Sequence, residues 1–312
     1  MALIPPYRHT RLLVALSALL ASVATGATFV QPTTKPATTY TQGQFLRMVD
    51  DDNRPRLEVS VVTLKGKDGF TVDLVSAVHI ADSSYFQDLN HRFPGYDAVL
   101  YEMVKPKGAP APERGQKSGS GVSALQRGMK NLLGLTFQLD EIDYQKDNFV
   151  HADMDVTAFF AAQEARGESL FTLMMQAYMR QLSATPPAPA PGDKPLKFKP
   201  INFGTTPAER QLALKTIFAG MFDNLERQSL GLDGPEGSAI LTDRNDAALE
   251  VVRQVRKDGK KRIALFYGAA HMPDLAKKLT TTDGLEVSQT EWLTAWDLTP
   301  AAAAPAAKPS VP

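Results

Sequence analysis

Two histidines occupy matching positions, each at the end of an apolar run that is typical of a buried β-strand. The first run covers residues 72–79 and ends at His79, and the second covers residues 263–271 and ends at His271. A small residue, Ser76 or Gly268, precedes each histidine by three positions. Because the carboxyl ends of parallel strands meet at one edge of a sheet, the two histidines could share a site there.

A glutamate and an arginine could complete this site. Glu102 stands near the end of the apolar run 97–103, where an ionised carboxylate is costly unless it is paired or bound to a metal. If that strand lies beside the first histidine strand, Glu102 and His79 share an edge. Arg244 stands early in a predicted helix, where a cation opposes the helix dipole, so we expect it to meet a carboxylate, a phosphate or an oxyanion. The alternatives are a solvent-facing glutamate and an ordinary surface arginine.

Two histidines and one carboxylate are a recognised ligand set for a divalent metal with open positions for water and substrate. Such a metal lowers the pKa of bound water and polarises a carbonyl, and an arginine can stabilise the resulting oxyanion. The same residues could instead perform acid–base catalysis without a metal. The chain has no cysteine, so any metal must be held by histidine, carboxylate or amide groups.

Two further histidines are weaker candidates. His91 lies beside Arg92 near the end of a predicted helix, where we expect it at the surface, interacting with the helix dipole. His151 and Asp153 could form another pair, although their spacing gives no strong reason for one.

The N-terminus has the pattern of a secretory signal peptide, predicted to span residues 1–26. Basic residues precede the apolar run 12–24, which is short for a membrane span, although an uncleaved anchor is an alternative. We therefore expect a secreted or periplasmic protein with no stable membrane span after cleavage. Without these residues the formal charge is −2 and no basic block is present, which argues against a nucleic-acid partner.

The order of predicted elements favours the α/β class. A hairpin at 56–78, a helix at 82–93 and a strand at 97–103 imply a parallel βαβ unit. Residues 122–228 have a mostly helical pattern, and a strand, a helix and a strand follow between 262 and 292. We predict a linker at 27–44, a folded domain at 45–298 and a disordered Ala/Pro tail at 299–312. The domain should have a mainly parallel mixed sheet flanked by helices, with a helical insertion in the middle. Met174, Met175 and Met179 could line a groove or pack in the core.

Four short motifs in this order resemble the TraB/Tiki/GumN family. They are Ser76 to His79, the strand ending at Glu102, Asp243 to Asn245, and Gly268 to His271. The family carries two GxxH motifs, a glutamate after the first and an arginine before the second, and the resemblance spans residues 55–295. Ser76 departs from the glycine of the first motif.

The resemblance implies that His79, Glu102 and His271 are metal or catalytic groups, supported by Arg244. Tiki members act as metal-dependent proteases, TraB members are linked to inhibiting peptide pheromones, and related folds bind haem or carry out esterase-type chemistry. Our leading hypothesis is an exported hydrolase of peptide or amide bonds that uses Mn, Co, Zn or Fe. In this hypothesis Glu102 is a metal ligand or a base, and Arg244 contacts an oxyanion or carboxylate. The alternatives are a non-enzymatic protein that sequesters a peptide, haem or metal, and an inactive structural envelope protein.

Overall fold

The computed structural model describes residues 45–51, 54–115, 132–168, 206–229 and 237–300. The predicted signal peptide and linker, most of the predicted tail and the methionines at 174, 175 and 179 lie outside the described residues. No helix in the described part of the chain is long and apolar enough to cross a membrane.

A mixed sheet forms the centre of the fold. β2 runs antiparallel to β1, β3 and β9, whereas β3, β8, β5 and β7 run parallel to one another in that order. This is the α/β architecture that the sequence predicted, with antiparallel strands added on one side. The strands are β1 (Leu46–Asp51), β2 (Arg54–Lys65), β3 (Thr71–Ala77), β4 (Ile80–Ala81), β5 (Ala98–Tyr101), β6 (Thr136–Phe137), β7 (Phe149–His151), β8 (Arg262–Gly268) and β9 (Glu286–Asp297).

The glutamate strand is not the direct neighbour of the first histidine strand. β8 lies between β3 and β5, with Ala77 opposite Gly268 and Tyr101 opposite Phe266. Because all three strands are parallel, their carboxyl ends still meet at one edge of the sheet. β8 and most of β3 are buried on both faces, which explains why they read as continuous apolar runs.

The helices cover the sheet with residues at helical spacing. They are α1 (Ser83–Arg92), α2 (Gln138–Glu141), α3 (Val156–Arg166), α4 (Pro207–Ser229), α5 (Arg244–Lys257) and α6 (Met272–Thr281). α1 buries Tyr85, Phe86 and Leu89, while α6 buries Leu275 and Leu279 among others. In α1 and α6 this spacing places apolar side chains on one face, against the sheet, whereas α3 buries no residue.

The region 122–228 is less uniformly helical than its sequence pattern indicates. Its described parts contain α2, α3 and α4, but also β6 and β7. β7 extends the main sheet beyond β5, and β6 pairs with β4 in a separate two-stranded sheet. Strands of two or three residues are too short to show an alternating pattern, so periodicity could not reveal them.

Candidate active site

Glu102 and His271 meet at the carboxyl ends of β5 and β8. Glu102 follows β5 directly, and His271 ends a short 3₁₀ turn that follows β8. His271 Nε2 lies 3.5 Å from Glu102 Oε1, and the two side chains are only 6% and 12% exposed. The strand ends therefore bring together two of the four predicted site residues in a poorly hydrated position.

Both carboxylate oxygens of Glu102 accept hydrogen bonds. The main-chain nitrogen of Gly268 donates to Oε2 at 2.7 Å, and Arg244 Nη2 donates to Oε1 at 2.7 Å. Burial opposes ionisation, but His271, Arg244 and His79 outweigh it and hold the pKa of Glu102 well below its ordinary value. Glu102 is therefore an anion at neutral pH.

Arg244 also binds Asp153, whose side chain is fully buried. Arg244 Nε donates to Asp153 Oδ1 at 3.0 Å, and Nη2 donates to Oδ2 at 2.6 Å. Burial lowers the pKa of Arg244, but the carboxylates of Asp153 and Glu102 raise it by more. The expectation that this early helical arginine meets a carboxylate is confirmed, and it meets two.

Local structure explains why Arg244 points into the site. A π-helical turn, Ala239–Asp243, comes immediately before α5, and Ser238 caps it by accepting a hydrogen bond from the Leu241 nitrogen. Such turns within helices frequently occur at functional sites. The turn ends at the residue before Arg244, so the arginine begins the regular helix α5.

His151 and Asp153 do not form the pair that their proximity in sequence suggested. His151 Nε2 donates to the Met103 carbonyl oxygen at 2.6 Å, while Asp153 binds Arg244. The hydroxyl of Tyr267 donates to the carbonyl of Ala152 and so fixes the segment that carries Asp153. Burial, followed by the charges of Asp153 and Glu102, raises the pKa of Tyr267 well above its ordinary value, so the hydroxyl keeps its proton.

His271 is oriented by a buried amide on the neighbouring helix. Asn245 Oδ1 lies 2.7 Å from His271 Nδ1, and Asn245 Nδ2 donates to Asp274 Oδ2 at 2.9 Å. Asn245 is fully buried and His271 is 5% exposed. The position of Asn245 beside Arg244 in the sequence was the only signal of its role, and Asp274 gave none.

His79 differs from His271 in its surroundings. It is exposed, and it is followed by the short strand β4, whereas His271 leads directly into α6. Its Nδ1 lies 3.2 Å from Gln138 Oε1, and Gln138 Nε2 donates to the Tyr144 hydroxyl at 2.7 Å. The pairing of β4 with β6 brings Gln138 to His79, which the sequence could not reveal.

His79, Glu102 and Arg244 line one pocket of about 370 Å³. His271 contacts Glu102 at its wall but does not line it. Within the described ranges, no three histidine or carboxylate side chains form a group that could hold a metal ion. The other lining residues are mainly apolar or aromatic: Met103, Val104, Phe137, Gln138, Leu139 and Tyr144.

His91 lies away from this pocket. It is exposed in the last turn of α1, as the sequence predicted, where its charged form would favour the helix dipole. It lines a separate surface depression with Arg92 and Glu291, among others. It is therefore a useful comparison residue for His79 and His271.

Comparisons of the whole chain with protein-family models, with curated proteins and with solved structures found no match.

Proposed function

We propose that the pocket at the carboxyl ends of β3, β5 and β8 is the active site of an exported, metal-dependent hydrolase of peptide or amide bonds. The observation that carries the proposal is the excess of negative charge beside His271. Two buried carboxylates, Glu102 and Asp153, share one arginine, Arg244. Buried charge is costly unless it is compensated, so this position favours a proton or a metal cation next to Glu102 and His271.

The donor types at the site suit a divalent metal, although His79, Glu102 and His271 do not form a ready three-ligand group among the described residues. His79, Glu102 and His271 would hold the ion, and imidazole and carboxylate ligands suit Mn, Co, Zn or Fe. Such an ion supplies an acidic bound water and polarises a carbonyl. His271 and Glu102 already touch, and His79 lines the same pocket and contributes to the low pKa of Glu102.

The low pKa of Glu102 supports one of its two predicted roles more than the other. A carboxylate whose pKa lies well below the ordinary range is a weak proton acceptor near neutral pH. It keeps its negative charge, however, which a ligand requires. We therefore assign Glu102 to metal binding in preference to general-base catalysis.

Arg244 has one nitrogen to offer to a substrate. Nε and Nη2 bind Asp153 and Glu102, whereas Nη1 makes no hydrogen bond to any residue that the structure describes. Arg244 lines the pocket, and Nη1 is the guanidinium nitrogen left to donate to a negative charge that develops on a reacting carbonyl oxygen. Asp153 holds the guanidinium in place from its buried side.

The apolar wall supports a substrate that joins an apolar group to a polar reacting bond. Met103, Val104, Phe137 and Leu139 lie beside the charged groups in one pocket. A volume of about 370 Å³ is at the lower end of the range for ligand pockets. It therefore suits one or two residues of a peptide with an apolar side chain.

A non-enzymatic protein that sequesters a peptide, haem or metal is the second candidate. It is favoured by the fact that both oxygens of Glu102 already accept hydrogen bonds, from Gly268 and Arg244. Both oxygens are thus occupied by protein donors without a metal, which suits a site that holds a peptide without turnover.

The test uses the chain without its predicted signal peptide, stripped of metal and reloaded separately with Mn, Co, Zn or Fe. Peptides with leucine or phenylalanine, and others with only polar residues, are incubated with it, and new amino termini are detected by mass spectrometry. Cleavage that His271→Ala abolishes and His91→Ala preserves would support the hydrolase. Peptide binding without cleavage under every metal would overturn it in favour of sequestration.

A further inference from the structure

We infer that Asp274, acting through Asn245, fixes the proton of the His271 ring on Nδ1, so that Nε2 presents its lone pair towards Glu102. Asp274 and Asn245 are thus positioning residues. The inference rests on the proposed function only in taking Nε2 as the atom that binds a metal. The hydrogen bonds that determine the tautomer stand without any activity.

The first step is the orientation of the Asn245 amide. The oxygen and nitrogen of an amide are assigned from their partners, and here the partners decide. Asn245 Nδ2 faces Asp274 Oδ2 at 2.9 Å and the main-chain carbonyl oxygen of His271 at 3.4 Å. Asp274 Oδ2 also forms an ion pair with Lys278 Nζ at 2.9 Å. A reversed amide would place an oxygen against two acceptors, so Nδ2 must point at them.

The second step is the tautomer of His271. With its nitrogen directed at Asp274, Asn245 offers only its oxygen to His271 Nδ1, at 2.7 Å. An amide oxygen only accepts, so Nδ1 carries a proton, and in the neutral ring the lone pair lies on Nε2. That atom is the one that lies 3.5 Å from Glu102 Oε1. Two lone-pair atoms at this distance attract each other only through a proton or cation between them.

Burial makes the constraint strong. Asn245 is fully buried and His271 is 5% exposed, so water cannot replace their hydrogen bond cheaply. Asp274 is more open, with 27% of its side chain exposed, so it can be altered with less risk to the core. Outer partners of this kind commonly fix the tautomer of ligating histidines.

The test compares three variants with the wild type. Asp274→Ala removes the acceptor that holds the Asn245 nitrogen. The double exchange N245D/D274N keeps an oxygen facing His271 and restores a donor–acceptor pair between positions 245 and 274. Asp246→Ala is the matched control, because Asp246 also pairs with Lys278, at 2.6 Å, whereas the Asn245 nitrogen donates to Asp274 and to the His271 carbonyl instead.

The readout is the ¹⁵N–¹H correlation of the histidine rings in the metal-free protein, recorded at stepwise increasing pH until the ¹⁵N shifts of His271 are those of a neutral ring. We expect the Nδ1–H tautomer of His271 in the wild type, in Asp246→Ala and in the double exchange, and a mixture of tautomers in Asp274→Ala. We also expect Zn²⁺ affinity to fall about tenfold in Asp274→Ala and to recover in the double exchange.

An Nε2–H tautomer in the neutral wild-type ring would overturn the inference, and this result needs no variant to fold. The inference would also be overturned if Asp274→Ala showed the same His271 tautomer as the wild type and the same Zn²⁺ affinity. Neither result depends on catalysis, so failure of the inference is distinguishable from failure of the proposed hydrolase.

Discussion

Gly268 lies so close to Glu102 that a side chain at this position would crowd the carboxylate. Its nitrogen donates to Glu102 Oε2 at 2.7 Å, and a Cβ placed on Gly268 would lie 3.3 Å from the same oxygen. The backbone does not require glycine here, because its φ of −53° is open to any residue. The small residue three positions before His271 is therefore explained by the approach of the carboxylate rather than by the turn.

Replacing Gly268 by alanine should disturb the site more than the fold. The new methyl group would push the Glu102 carboxylate by a few tenths of an ångström from its hydrogen bond to the Gly268 nitrogen, while the main chain can stay where it is. We expect Gly268→Ala to lower Zn²⁺ affinity by about tenfold, as measured by titration calorimetry.

Gly220→Ala is the control for this experiment, because a Cβ there meets no atom of the described residues within 4 Å. That helical substitution should stabilise the chain by about 0.5–1 kcal/mol and leave metal affinity unchanged. Equal metal affinity in Gly268→Ala and the wild type would contradict the role assigned to Gly268.

Removing Arg244 should destabilise the fold strongly, because two buried carboxylates would lose their cation. We expect Arg244→Met to lower the free energy of unfolding in urea by about 3–5 kcal/mol. Arg253 makes a comparable two-bond contact with Asp283, but its side chain is 42% exposed. Arg253→Met should therefore cost about 1 kcal/mol or less, and equal losses in the two variants would contradict the account.

The sequence predicts those features of the site that depend on residues close together along the chain. The strand-to-histidine segments, Glu102 at a strand end and the unusual position of Arg244 are all visible in short stretches. Their meeting at one edge follows from parallel strands. The partner of Arg244, however, is Asp153, 91 residues away along the chain. No periodicity or spacing reports that contact.

Strand order is the second feature that the sequence does not contain. The strand–helix–strand order from β3 to β5 suggested neighbouring strands, yet β8 comes from far along the chain and lies between them. A right-handed crossover from β3 to β5 is compatible with another strand between them, and tertiary packing determines which strand lies there. The two short strands that bring Gln138 to His79 are likewise fixed by pairing rather than by local pattern.

Glu102 should make the stability of the metal-free protein depend on pH. Burial raises its pKa, but His271, Arg244 and His79 lower it further, to well below its ordinary value near 4.5. A carboxylate with a depressed pKa stabilises the fold fully above its unfolded-state pKa, and this stabilisation is lost as pH falls towards the folded-state pKa. Between pH 4.5 and stronger acid, the free energy of unfolding should therefore fall more steeply in the wild type than in Glu102→Gln.

The measurement is urea unfolding at stepped pH. Glu291→Gln is the control, because Glu291 also pairs with an arginine, Arg92, but is 41% exposed. The free energy of unfolding of Glu291→Gln should change with pH as that of the wild type does. A Glu102→Gln curve parallel to the wild type would show that Glu102 does not titrate as described.

Leu139 should contribute to substrate preference if the apolar wall binds a side chain. It lines the pocket and is 42% exposed without a ligand, so Leu139→Gln should fold normally. Losing the burial of part of a leucine costs about 1 kcal/mol, or about fivefold in kcat/KM for peptides with leucine or phenylalanine.

Leu132→Gln is the control for the apolar wall, because Leu132 is 46% exposed and is not among the pocket's lining residues. It should leave kcat/KM unchanged. Equal effects of the two substitutions on cleavage of apolar peptides would remove the case for Leu139.

The central claim is that His79, Glu102 and His271 form one metal site, and the most direct measurement is calorimetric titration of the metal-stripped chain with Zn²⁺. The account predicts one ion for each chain in the wild type and in His91→Ala, and loss of that binding in both His79→Ala and His271→Ala. Wild-type binding in either of the last two variants, or no binding in the wild type, would contradict it.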